Sequence, residues 1–81
     1  MKPGEAADRS LDATDLLCPE PVFRTRRALA EMRAGQTLQV SADDPMVELD
    51  MAVFCQRTGH IMVASERIDG RWTFLLRKAG E

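Results

Sequence analysis

Nowhere in these 81 residues does an apolar run approach the roughly 20 that a membrane-spanning helix needs. The N-terminal stretch MKPGEAADRS also lacks the apolar segment of a signal peptide. The expectation is a cytoplasmic protein with no membrane attachment. Cysteine is scarce: Cys18 and Cys55 are too few for a disulfide framework, and no CxxC pair offers the spacing of a zinc site or a vicinal dithiol. Histidine occurs once, as His60, and no metal or cofactor is expected. A Ser/His/Asp set, a phosphate-binding glycine loop and a pair of catalytic carboxylates are all missing. So is an excess of positive charge. The net charge of −2 does not favour nucleic acid, and the one basic cluster, Arg24, Arg26 and Arg27, has no interleaved aromatics and reads as a solvated helix face.

What is present is an ordinary globular composition, 44% apolar and 30% charged, without repeats or low-complexity tracts. A chain of this size forms one domain with a thin core, burying roughly 60% of its unfolded surface. Residues 1–9 are polar with an early Pro-Gly and predict a flexible tail, leaving 10–81 as a single domain. SLDAT from Ser10 alternates with period two and predicts a first strand. From Pro19 the spacing of Val22, Thr25, Leu29 and Met32 predicts an amphipathic helix, with Gly35 placed to end it. TLQVSA predicts a second strand, and the following DDP a second helix with Asp44 as N-cap and Pro45 in its first position, running to Gly59. Met46, Leu49 and Val53 form an apolar stripe on that helix, widened by Val47, Met51 and Phe54, so the second helix is expected to be the more fully buried. Ile61–Ile68 and Trp72–Arg77 flank Asp-Gly, the signature of a tight hairpin. The order βαβαββ predicts an α/β two-layer sandwich: a four-stranded mixed sheet with both helices on one face.

The chemistry-bearing stretch is LLCPEPVF, residues 16–23. With Cys18 as N-cap, Pro19 and Pro21 remove two of the donors a helix start normally offers, leaving the Glu20 amide beside the sulfur. The positive helix end would lower the thiol pKa, and Leu17 and Val22 are spaced for a hydrophobic staple. Against this stands the plain fact that cysteines are usually buried and inert and that Pro is a common helix start. The residues alone leave both readings open. Cys55 falls on the side of its helix away from the Met46, Leu49, Val53 stripe and reads as structural, and His60 as a packing or capping residue.

In this order and spacing the chain resembles the TusA/SirA/YedF sulfur-carrier family. The resemblance lies in LDATDLLCPEPV, a strand followed by the CPxP signature; in AGQTLQVSADDP, a strand leading into a DDP helix cap; and in DMAVFC and the Gly59-His60 pair. Arg26 and Arg27 fall where family members often carry basic residues. Asp15 replaces a usual glycine, a substitution that Asp tolerates at positive φ better than most residues, and Ala52 replaces a common proline. The resemblance implies that Cys18 carries a sulfane sulfur as a persulfide, supported by Pro19, Glu20 and Pro21. The sulfur would come from a cysteine desulfurase or rhodanese-type donor and go to an acceptor cysteine, along routes that in relatives lead to 2-thiouridine in tRNA, molybdenum-cofactor synthesis or sulfur oxidation. The resemblance implies a sulfurtransferase-type carrier rather than a turnover enzyme, expected to be a monomer and to dock through Arg26 and Arg27. Two other readings compete: a regulatory or RNA/protein-binding module using the Arg24, Arg26, Arg27 face, and a redox protein pairing Cys18 with Cys55.

Overall fold

A computed structural model describes residues 7–80. The element order is β1 (Arg9–Ala13), α1 (Glu20–Ala30), β2 (Thr37–Ala42), α2 (Val47–Thr58), β3 (Ile61–Ile68) and β4 (Arg71–Arg77). The strands form one mixed sheet in the order β1-β2-β4-β3. β1 runs parallel to β2, with Leu11 opposite Val40 and Ala13 opposite Ala42. β2 and β4 are antiparallel, pairing Val40 with Phe74 and Leu38 with Leu76. This register gathers the apolar alternates of three strands into one row, and α1 and α2 close over it. The result is the βαβαββ sandwich expected from the sequence. Among the described residues no helix is long and apolar enough to cross a membrane.

The hairpin between β3 and β4 turns on Asp69 at φ 52° and Gly70 at φ 78°, the doubly positive turn that Asp-Gly favours. Residues 1–6 of the expected tail lie outside the described residues. Its last two residues are tied in: the Asp8 amide donates to the Thr37 carbonyl at 3.0 Å, and Arg9 begins β1.

Three expectations need correction. Gly35 does not end α1; the helix stops at Ala30, and Gly35, at φ 88°, lies in the turn before β2, its amide donating to the Lys78 carbonyl. Asp44 is not the N-cap and Pro45 is not the first helical residue: α2 begins at Val47 with Met46 as N-cap, and Asp44 Oδ2 accepts from the Met46 amide at 2.9 Å in the turn that precedes it.

The third concerns the buried face of α2. Val47, Met51, Phe54 and Cys55 face the sheet, while Met46, Leu49 and Val53 remain exposed at 48%, 58% and 37%. α2 carries apolar residues around much of its circumference, so periodicity cannot say which side the sheet will take. The Cys55 thiol, on the opposite side from that stripe, is buried in the core. The helix is the less completely covered of the two, and its open apolar side is part of the site below.

Candidate functional site

Two parallel strands that each lead into a helix place both helix starts at the same end of the sheet. The register partners Ala13 and Ala42 end their strands side by side, so the loops after them touch. The Asp15 amide donates to Asp43 Oδ1 at 2.9 Å and joins the two loops. Asp15 adopts φ 66°, the positive value expected where glycine is usual. Ligand sites at the carboxyl ends of adjacent parallel strands follow the same geometric logic.

Cys18 sits in the first of these loops with its side chain exposed. Its peptide bond to Pro19 is cis, and the N-cap of α1 is Pro19 rather than Cys18. The Glu20 amide, expected beside the sulfur, instead donates to the Leu17 carbonyl at 2.9 Å. The expected staple is also absent, since Leu17 is 72% exposed. Pro19 is exposed beside the thiol, Pro21 is buried with its carbonyl accepting from Thr25 Oγ1 at 2.8 Å, and Glu20 is exposed and pairs with Arg24 at 3.6 Å. The two prolines therefore have separate tasks. One borders the sulfur and the other anchors the helix in the core.

The partner of the sulfur comes from α2. Cys18 Sγ donates to Asp50 Oδ2 at 2.6 Å, across 32 positions of sequence. Asp44 is close by, and the donor atoms of Cys18, Asp44 and Asp50 lie within 4.8 Å of one another. No metal ligand spacing in the sequence pointed to this grouping. In the structure it is already engaged: the thiol proton lies between Sγ and Asp50, and Asp44 accepts from Met46. The Cys18 pKa is raised, first by the hydrogen bond that only the protonated thiol can give Asp50, then by desolvation and by the charges of Asp50 and Asp44. The expected lowering by the helix end is overturned. A helix terminus offers about half a positive charge, whereas Asp50 brings a full negative charge into direct contact.

Between α1 and α2 an open groove of about 550 Å³ starts at Cys18. Val22, Leu49, Val53 and Phe54 supply apolar walls, and Arg26 and Arg57 bring cationic groups to its lining. Of the arginines proposed for docking, Arg26 lines this groove; Arg27 is exposed outside the lining, as is Arg24. Asp50, Leu49, Val53 and Arg57 were not identified from the sequence as functional. Helical periodicity predicts Leu49 and Val53 in the core, and for Asp50 and Arg57 no local pattern marks a residue whose partner lies on another helix.

His60 is a capping residue: its Nδ1 accepts from the Ala79 amide at 2.9 Å, and its ring lies 5.6 Å from that of Phe54. Cys18 and Cys55 are both free thiols, one exposed and one buried in the core.

The fold has a close counterpart among solved structures. A SirA-like protein from Desulfitobacterium hafniense superposes with a TM-score of 0.76 at 25% identity, over 89% of this chain and 99% of that one. The sequence model of the family described as sulfurtransferase TusA matches residues 9–78, from the first residue of β1 to just past β4. The family match spans all six elements, it and the SirA-like fold support a sulfur-carrier role, and the chain belongs to the TusA family.

Proposed function

We propose that Cys18 is the sulfur-bearing residue, loaded as a persulfide by a cysteine desulfurase or rhodanese-type donor and discharged to an acceptor cysteine of a downstream protein. The carrying observation is that Cys18 is the exposed thiol and opens onto the groove between α1 and α2. In loading, Cys18 attacks the outer sulfur of a donor persulfide. The new Sγ–S bond forms as the donor S–S bond breaks, and its electron pair leaves with the donor sulfur. That sulfur ends protonated in place of Cys18, so thiol plus persulfide gives persulfide plus thiol with no external oxidant. Discharge repeats the exchange with Cys18 as donor.

A carrier acting this way needs access and a docking surface rather than a general base of its own. Arg26 in the groove lining, with Arg27 on the adjacent outer surface, would meet acidic groups on donor and acceptor and orient them. The walls formed by Leu49 and Val53 would receive an apolar side chain beside the partner cysteine. The chain would work as a monomer, meeting its partners in turn, in a reducing compartment such as the cytoplasm, where thiols stay free. Synthesis of 2-thiouridine in tRNA is the downstream use we favour.

Incubation with a cysteine desulfurase and cysteine, followed by intact-mass and peptide mass spectrometry, tests the reading. One added sulfur on Cys18, absent from Cys18→Ser, is expected. No added sulfur on Cys18, or equal labelling of the Cys18→Ser variant, rules it out.

A further inference from the structure

A carrier thiol that is always ready to react would also react with whatever it meets. Cys18 is exposed, yet its sulfur is not free: its proton points at Asp50 Oδ2 over 2.6 Å. The charged groups around it come from both helices and from the loop before α2. Glu20 is on the first turn of α1, Asp44 precedes α2, Asp50 is on α2, and Arg26 and Arg57 line the groove beyond. The acidic groups are the ones whose atoms gather at the sulfur, and neither arginine is ion-paired among the described residues.

We propose that Asp50 is the residue that restrains Cys18: its carboxylate keeps the proton on Sγ in the free protein, so that the sulfur reacts efficiently only with a partner already docked in the groove. This rests on the carrier reading above and adds to it a specificity-determining residue. The thiol is a poor nucleophile compared with its thiolate, so small electrophiles and oxidants in solution meet the less reactive form. A docked donor differs because it holds its outer sulfur against Sγ. The effective concentration gained by such placement offsets a small thiolate fraction. Discrimination thus comes from geometry that only a partner can satisfy.

Asp50 can exert this restraint because it is held by the fold. It lies on α2 between Met51, fully buried against the sheet, and the groove-lining Leu49, and its helical amide donates to the Met46 carbonyl at 3.0 Å. A carboxylate on a mobile loop could swing aside; this one is carried by a packed helix.

The test uses the full chain and iodoacetamide, with the Cys18 peptide quantified by mass spectrometry from neutral to alkaline pH. The wild type is expected to show a rate midpoint above that of an ordinary thiol. In Asp50→Asn the midpoint should fall by about one unit, a tenfold gain in thiolate at neutral pH. Part of that gain is returned because a less basic thiolate is a weaker nucleophile, with a Brønsted slope of roughly 0.4–0.5, which leaves alkylation about three- to fourfold faster. Glu48→Gln, which removes a charge from the same helix outside the groove lining, should leave the rate unchanged.

An Asp50→Asn midpoint equal to or above that of the wild type overturns the proposal. Should that variant not fold, a wild-type midpoint at or below that of an ordinary thiol overturns it equally. Alkylation involves no sulfur donor, so the outcome is separable from the carrier reading. Absent persulfide on the wild type defeats the carrier assignment, while an unmoved midpoint defeats only the role of Asp50.

Discussion

Truncating the two apolar sides of α2 should have opposite consequences for stability and function. Met51 is 0% exposed and packs in the core, so Met51→Ala should cost about 2–5 kcal/mol, the usual loss for deleting a buried Met side chain with partial collapse of the cavity. Leu49 is 58% exposed, and Leu49→Ala loses little contact while gaining slightly in helix propensity, so its effect should stay within about 0.5 kcal/mol. Against a total of roughly 4–12 kcal/mol for a domain of this length, the first loss is severe and the second small. Urea unfolding followed by circular dichroism reads both. With a slope of about 1 kcal/mol per molar, Met51→Ala should lower the midpoint by roughly 2 M or more and Leu49→Ala by less than about 0.5 M. Loading by a desulfurase should show the reverse order, with Leu49→Ala the more impaired at a temperature where both are folded. Equal losses of stability would mean that the Met46, Leu49, Val53 stripe is the core face after all. The groove, and the docking argument built on it, would then fall.

The arginines can be separated in the same loading assay. Arg26→Glu and Arg57→Glu should each slow desulfurase-dependent loading about tenfold by reversing charge in the groove, and Arg27→Glu by no more than about threefold; equal effects of all three would point to a diffuse field instead. His60 gives a pH signature in stability. Burial, and secondarily the positive charge of Lys78, lower its pKa below the ordinary value of 6.5, so the folded state favours neutral imidazole. The unfolded chain then takes up the proton first as pH falls. The stabilisation is therefore present above about pH 6.5 and lost as pH drops through the lower folded value. The urea midpoint should decline between neutral pH and about pH 5.5, and His60→Ala should flatten that decline; an unchanged decline in the variant would assign it to another group.

Some features were legible because they depend on neighbours in sequence. The alternation of Leu38, Val40 and Ala42 identified β2, Asp69-Gly70 identified the hairpin, and Thr25 and Leu29 identified the inner side of α1. The CPxP signature singled out Cys18, and the structure places its thiol in the open. The start of α1 by itself predicts a lowered Cys18 pKa, whereas the hydrogen bond to Asp50 raises it. The dominant neighbour, Asp50, arrives from 32 positions away. Likewise the second helix has two apolar sides, and choosing between them requires knowing where the sheet lies.

By itself, then, the sequence determined the elements and their order, and it singled out Cys18 as the candidate, since backbone preferences, turn chemistry and side-chain periodicity act over a few residues. Tertiary structure decided what surrounds that cysteine. The parallel pairing of β1 with β2 sets two helix starts side by side, bringing Asp44 and Asp50 to the sulfur and opening an apolar groove beneath Arg26 and Arg57. Charge and packing act through space, and the chain reveals those distances only once folded.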